Sequence, residues 1–529
     1  MLTRVLARLS GVSLDTSAPP PRSALPVPAT PGRRAVTDLY RFDPNHALLH
    51  LSPRDPWTIT EACEGTQIFG APGSGKTSGS GRTLARAFLR AGFGGLVLTD
   101  KPSERALWEG YAAETGRRDS LIVVRPSSRW RFNFLDDEFM REGEGAGHAA
   151  NAVATFMNVL EAYDGRPGRD GDRFWHDNVR RLLRHAIELL VAGRTPVTLD
   201  RIMSLVHGAP ESRREAADPT WQAGSACWQQ LVAAGMPERS RAFWLQEFAQ
   251  LPPKTRASIV STFTGMADPF IDGPLHELFC TTTTFTPDLS RKGAVIVLDL
   301  PTSEWGEVGR SAQILFKYLW QRAIMRRSGV AHGERPVFLW VDEAQTFLTR
   351  HDMTFQQKAR ESVACSVFLT QNIANYYATL EAQRGRAQAD ALLGNFATKI
   401  FHANGDHATN EFAANAFGRV LHLRQNWGSS DNRSVSLGEG GGWSVSSNGQ
   451  QTTSGVSFNS NSSVSRSLGT SHGVRQEKDF QLDPYWFTRL TTGGPANGFE
   501  VQAFVFKAGR TWQRTGSNYI DVTFSQRAP

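Results

Sequence analysis

The 529-residue sequence has no apolar run reaching the roughly 18 residues needed to span a bilayer. Arg4 and Arg8 stand near the N-terminus, but no clean apolar segment follows them. Neither a membrane helix nor a signal peptide is therefore expected. Cysteine is scarce: Cys63, Cys227, Cys280 and Cys365 are scattered, with no C-x-x-C pair. That excludes the usual zinc spacings and a disulfide framework, and it suits a reducing cytosol. Lysine is scarce too. Nine of the 58 basic residues are Lys, so the net charge of +7 rests on arginine. A basic balance permits nucleic acid or an anionic membrane surface as partner, but an arginine-biased genome produces the same balance.

What is present is organised around residues 66–86. Thr-Gln-Ile-Phe is followed by Gly70-Ala-Pro-Gly-Ser-Gly75-Lys76-Thr77 and then by helical periodicity. A short apolar strand, a glycine-rich loop and a helix start satisfy G-x-x-x-x-G-K-[ST], the phosphate-binding loop, in the context it requires. Gly70, Gly73, Ser74 and Gly75 let backbone N–H groups turn inward onto phosphate oxygens. The helix start adds partial positive charge. Lys76 is placed to neutralise the β- and γ-phosphates, and Thr77 to offer its hydroxyl to Mg²⁺. The cofactors expected are ATP and Mg²⁺.

Residues 336–341, Pro-Val-Phe-Leu-Trp-Val, read as a strand buried on both faces of a parallel sheet. The strand ends in Asp342-Glu343, at the sheet edge where ligands bind. Asp342 is expected in the Mg²⁺ shell and Glu343 on the attacking water.

Along the chain, residues 1–64 read as a flexible Pro/Ser/Ala-rich arm and lead-in. Residues 65–135 form a first nucleotide-binding part, with strands at 66–69, 96–100 and 120–124. From 136 to 287 strand signals vanish and helical ones dominate, so an all-helical inserted domain is expected. Arg180, Arg181 and Arg184 read as the solvated face of one of its helices, with DNA contact as the alternative. Residues 288–425 resume the sheet, with strands at 294–300, 336–341, 365–371 and 397–402. Alternating strands and helices imply a mainly parallel sheet and an α/β fold. Residues 426–473 turn abruptly to Ser, Gly and Asn; a ribbon of hairpins and a disordered loop are the two readings, and composition favours disorder. Residues 474–529 resume globular patterning with a late strand.

The P-loop, Asp100-Lys101-Pro-Ser-Glu104, the helical insertion, Val341-Asp-Glu-Ala-Gln345, Leu369-Thr-Gln371, Leu393-Gly-Asn-Phe-Ala-Thr-Lys399 and Asn404-Gly-Asp406 occur in that order. The set resembles the TraG/TraD-type conjugative coupling ATPases of type IV secretion, in the FtsK/HerA-like branch of RecA-type motors. The resemblance implies a RecA-like domain carrying an all-helical domain, a homo-hexamer, and ATP-driven pumping of DNA or relaxase–DNA cargo. It also implies that Gln371 senses the γ-phosphate and that Arg360 reaches a neighbour's nucleotide as an arginine finger. An ordinary exposed position remains the alternative for Arg360. Most family members carry N-terminal transmembrane helices, which are absent here, so a cytoplasmic protein is expected, at most peripheral at the inner membrane. The competing functions are a hexameric DNA pump in processing or defence and a nucleotide-gated protein adaptor.

Overall fold

The computed structural model describes residues 42–164, 173–327, 333–380, 385–447 and 452–527. The flexible arm expected at the N-terminus lies outside the described residues. The lead-in that follows is ordered: β1 (Ala47–Ser52) and β2 (Asp55–Thr58) form an antiparallel pair. A short helix, Ile59–Cys63, then starts on a Thr58–Glu61 capping box.

The strands that follow are β3 (Thr66–Phe69), β4 (Gly94–Leu98), β5 (Leu121–Val124), β6 (Val295–Leu298), β7 (Val337–Val341), β8 (Ala364–Thr370) and β9 (Thr398–Phe401). Next come β10 (Arg419–Ser447), β11 (Thr452–Phe480), β12 (Glu500–Lys507) and β13 (Tyr519–Ser525). One nine-stranded sheet runs β13-β12-β9-β3-β8-β7-β4-β6-β5. Its strands from β9 to β5 are all parallel, and β12 and β13 close one edge antiparallel. β3, β4, β6, β7 and β8 are buried along their whole length, β6 and β7 as unbroken apolar runs. This is the pattern of parallel strands covered by helices on both faces.

An aromatic stack fixes the layer over β7. Trp108, on helix Ser103–Glu114, stacks on Phe338 at 5.4 Å and meets Trp340 edge-on at 5.3 Å. Phe88, on helix Arg82–Arg90, also stacks on Phe338, at 5.6 Å. Such ring pairs add roughly 0.5–1.5 kcal/mol each beyond area burial. Between β5 and β6 every described element from Phe134–Met140 to Gly273–Phe279 is helical. Helix Thr302–Met325 then returns the chain to the sheet, with a non-helical break at Gly306. All four cysteines are free and buried.

The contacts divide the chain into two compact units, Met1–Asn410 with Phe487–Pro529, and Glu411–Trp486. The second holds the Ser/Gly/Asn-rich segment. Composition favours disorder there, but the segment forms a ribbon: β10 and β11 pair antiparallel in unbroken register from Arg419↔Phe480 to Ser447↔Thr452. Cross-strand pairs compensate for the small side chains. Ser434 and Ser436 bond Ser465 and Ser463 at 2.7 and 2.8 Å, Val435 faces Val464, and Asp431 pairs with Arg466.

Gly94 sets how closely β4 lies against the turn before β6. A Cβ at Gly94 would stand 1.9 Å from the Ser290 carbonyl oxygen, so backbone would have to move. Gly94→Ala is expected to destabilise the fold by about 1–3 kcal/mol. The measure is the urea midpoint at constant slope; an unchanged midpoint would show that this contact yields freely.

Candidate nucleotide site

The parallel register brings the carboxyl ends of β3, β8, β7 and β4 side by side. The residues just past those ends are Gly70, Gln371, Asp342 with Glu343, and Asp100 with Lys101.

The loop after β3 has the backbone that phosphate binding requires. Gly73 and Gly75 take φ of +74° and +85°, where a side chain would strain the chain. A Cβ at Gly75 would also meet Val501 at 2.6 Å, so β12 packs directly against the loop. The first turn after Lys76 is a π-turn, Thr77–Gly81, closed by Gly81 N–H donating to the Lys76 carbonyl at 2.9 Å. Such turns recur at functional sites. His402, just past β9, braces this turn. Its Nδ1 stands 3.2 Å from the Gln502 carbonyl oxygen, which can only accept, so Nε2 accepts from the Ser80 hydroxyl at 2.7 Å. Burial pushes the His402 imidazole down to about 3, so it stays neutral and keeps that tautomer. Ser74 Oγ is buried with no protein partner inside the loop.

Thr77 donates its hydroxyl to Asp342 Oδ2 at 2.8 Å, and the Glu343 N–H donates to Asp342 Oδ1 at 2.9 Å. Burial raises the Asp342 carboxyl, and the Lys76 charge and the Thr77 bond only partly oppose it. Among the described residues there is no group of three or more His, Cys, Asp or Glu that could hold a metal. The oxygens of Thr77 and Asp342 nevertheless fit Mg²⁺, which binds through one or two protein oxygens and completes its shell with phosphate and water.

Glu343 is the most heavily engaged group. Its backbone is left-handed, with φ +47° and ψ +52°, a strain that clusters at functional sites. Oε1 faces Lys101 Nζ at 3.0 Å and Lys76 Nζ at 3.6 Å. Oε2 accepts from Gln345 at 3.0 Å, and Gln371 Nε2 lies 3.4 Å from both oxygens. Burial would raise this carboxyl, but the Gln345 bond and the Lys76 and Lys101 charges hold it at about 2. Gln345 is itself anchored by the Thr370 hydroxyl at 2.7 Å. The Gln371 carbonyl accepts from Asn404 at 2.8 Å.

The structure thus brings together Lys76, Thr77, Asp342, Glu343 and Gln371. Arg360 stands apart, on the C-cap of helix Arg350–Ala359, exposed and 3.3 Å from Glu64. Arg180, Arg181 and Arg184 are all exposed, as a solvated helix face requires, and they border an open surface pocket of about 500 Å³ with Arg239 and His185. Glu247 pairs with Arg181, and Glu188 with Arg184 and Arg239. Sequence reasoning missed the site roles of Lys101, Glu104, Gln345 and His402. The first two lie in the quoted Asp100–Glu104 segment; His402 carries no motif, because its partners lie 322 and 100 residues away.

A P-loop strand separated by one strand from the strand bearing the acidic pair defines a RecA-like P-loop nucleotide-binding fold. Residues 336–474 match the family model described as the TraM recognition site of TraD and TraG. Among solved structures, the chain resembles the bacterial conjugative coupling protein TrwB in its unbound monoclinic form, at 14% identity over 91% of each chain with a TM-score of 0.54. The same protein in complex with ADP and Mg²⁺ matches at 14% identity over 93% of this chain and 92% of that one, with a TM-score of 0.53. Its complex with the ATP analogue ADPNP matches at 14% identity, over 93% and 94%, with a TM-score of 0.53. No curated protein matches the chain. The resemblance to TraG/TraD-type coupling proteins is borne out in fold and over residues 336–474. No described helix is long and apolar enough to cross a membrane.

Glu104 gives this edge a pH dependence. It is buried, its Oε2 accepts the Asp100 N–H at 2.9 Å, and its Oε1 has no partner. Burial first, and then the Asp342 charge, push its carboxyl from 4.5 up to about 8. Between those values the folded chain holds a proton that the unfolded chain has lost, so stability falls as pH rises through that window. Glu104→Gln removes the linkage. The variant is expected to gain stability relative to wild type from about pH 4.5 to about pH 8, read from urea midpoints. Parallel curves would mean that Glu104 ionises in the folded chain as it does in the unfolded one.

Proposed function

We propose that this chain is an ATP-hydrolysing motor that moves DNA and couples DNA or relaxase–DNA cargo to a type IV secretion channel. The observation that carries this reading is the Glu343 carboxylate, buried and ionised beside Lys76, next to the paired Thr77 and Asp342. TrwB, whose fold the chain shares, is a conjugative coupling protein seen with ADP and Mg²⁺. The matched family model is named for recognition of TraM in TraD and TraG. A protein partner of the relaxase–DNA complex is the corresponding expectation for this chain.

Each side chain then has a task. The amides of Gly73 and Gly75, with the Ser74 hydroxyl, cradle the phosphates in the loop that Gly70 opens, and Lys76 clamps the β- and γ-phosphates. Thr77 and Asp342 hold Mg²⁺, which when bound neutralises charge on the phosphate oxygens. Glu343 orients the attacking water and polarises it towards the γ-phosphorus as ADP leaves. Gln371, on the Glu343 carboxylate, reports on the γ-phosphate. Arg360 serves the neighbouring subunit's nucleotide in a hexameric ring, and its exposure leaves it available to do so.

The direct test is ATP turnover with and without DNA, alongside oligomer mass. Stimulation by DNA supports the motor; hydrolysis indifferent to DNA would leave a nucleotide-gated adaptor. Lys76→Ala is expected to lower turnover on the order of a thousandfold with the fold intact. A residual rate above about a tenth of wild type would remove Lys76 from the phosphate clamp. Glu343→Gln is expected to bind ATP and hydrolyse it very slowly, since Asp342 keeps its place. Loss of binding instead would exchange the roles of the two acids.

Arg360→Ala tests the ring. It should lower turnover far more than ATP affinity, because the guanidinium would act on charge that develops in the transition state. Mixed with Lys76→Ala subunits, it should recover activity above the sum of the two variants alone. Mixed rings of demonstrated mass that recover nothing would end the arginine-finger assignment.

A further inference from the structure

The loop after β4 delivers a lysine to which the proposed chemistry gives no task. Lys101 Nζ and Lys76 Nζ approach the same oxygen, Glu343 Oε1, at 3.0 and 3.6 Å. The two cations are not equivalent. Lys76 belongs to the P-loop and is committed to phosphate. When a nucleotide draws its ammonium away, Glu343 keeps two neutral amides, from Gln345 and Gln371, and one cation. The Glu343 side chain is only 6% exposed and adjoins Asp342. A buried carboxylate facing a second acid is poorly held by amides alone.

Lys101 is placed by contacts that do not involve Glu343. The Asp100 N–H donates to Glu104, and the Asp100 side chain accepts from the Thr302 hydroxyl. Glu104 lies in the first turn of helix Ser103–Glu114, which is locked onto β7 through Trp108, Phe338 and Trp340. The same stack therefore sets β4's loop and β7's acidic end against each other. The Lys101 side chain is half exposed, so its charge costs little to maintain.

We propose that Lys101 is a positioning residue for Glu343, the cation that holds and aims the carboxylate once Lys76 turns to phosphate. The inference rests on the ATP-hydrolysis reading above. It gives Lys101 no contact with the reacting atoms; its effect passes through Glu343 alone.

The test uses the full chain with Lys101→Met, Lys101→Arg, Glu343→Gln and the Lys101→Met/Glu343→Gln pair. Steady-state hydrolysis is measured together with the affinity of a fluorescent, non-hydrolysable ATP analogue. Lys101→Met is expected to lower kcat on the order of tenfold, as a misaimed group does, with analogue affinity within about threefold of wild type. Lys101→Arg, which keeps the charge, should recover most of kcat. In the Glu343→Gln background, Lys101→Met should cost nothing further, because its target is gone. Equal losses of affinity and kcat in Lys101→Met would make Lys101 a phosphate ligand and overturn the proposal. An undiminished loss in the Glu343→Gln background would overturn it too, as would wild-type kcat in Lys101→Met. A wild-type chain that hydrolyses no ATP would instead sink the functional reading on which the inference rests.

Discussion

A buried carboxylate stays ionised only where donors and cations surround it, and the site is built around meeting that condition for Glu343. Its partners come from four loops: Lys76 after β3, Lys101 after β4, Gln345 beyond β7 and Gln371 after β8. No local stretch of chain could assemble them. They meet because β3, β8, β7 and β4 are consecutive and parallel, so all four loops leave the sheet on one edge. The left-handed backbone at Glu343 is the local cost of turning the carboxylate back over that edge.

Two features outside the motif hold the arrangement. The first is the stack of Phe88, Trp108, Phe338 and Trp340, which ties the P-loop helix and the helix after β4 to the same strand. A shift of β7 would carry Asp342 and Glu343 with it, and the rings resist such a shift from both helices. The second is the antiparallel edge. β12 supplies Val501 against Gly75 and the Gln502 carbonyl to His402, so residues far beyond the acidic pair shape the phosphate loop. The late strands thus serve the nucleotide site although they carry none of its charged groups.

The parallel strands, the P-loop and the acidic pair were legible because each announces itself locally. A run such as Val337–Val341 is apolar throughout, and G-x-x-x-x-G-K-T has a fixed spacing. Strand order was not legible. Nothing in the sequence states that β4 lies beside β7 rather than β3, and Lys101 meets Glu343 only through that adjacency. The final strand, β13, went unread because its alternating Tyr-Ile-Asp-Val-Thr-Phe-Ser is a half-buried edge pattern, weaker than a continuous run. Between the two readings of the Ser/Gly/Asn-rich segment, ribbon and disordered loop, composition alone cannot decide. Composition measures how much apolar surface a segment can bury, but β10 and β11 pair through backbone and short cross-strand contacts, which composition does not count.

The charges along this edge fall into an order set by depth. Glu104, buried with one oxygen unpartnered, is neutral over most of the physiological range. Asp342, buried but bonded to Thr77 and the Glu343 N–H, is raised yet partly compensated. Glu343, facing two lysines, is held fully ionised. One carboxylate on strong cations, one on a hydroxyl and one on a single amide is how three neighbouring acids coexist at a sheet edge: burial separates their proton affinities instead of leaving them to repel. A nucleotide brings several negative charges into this set and competes first for Lys76. The Lys101–Glu343 pair lies on the far side of that competition, anchored through Glu104 and the Trp108 stack, so the carboxylate keeps a cation without contesting the one the phosphates need.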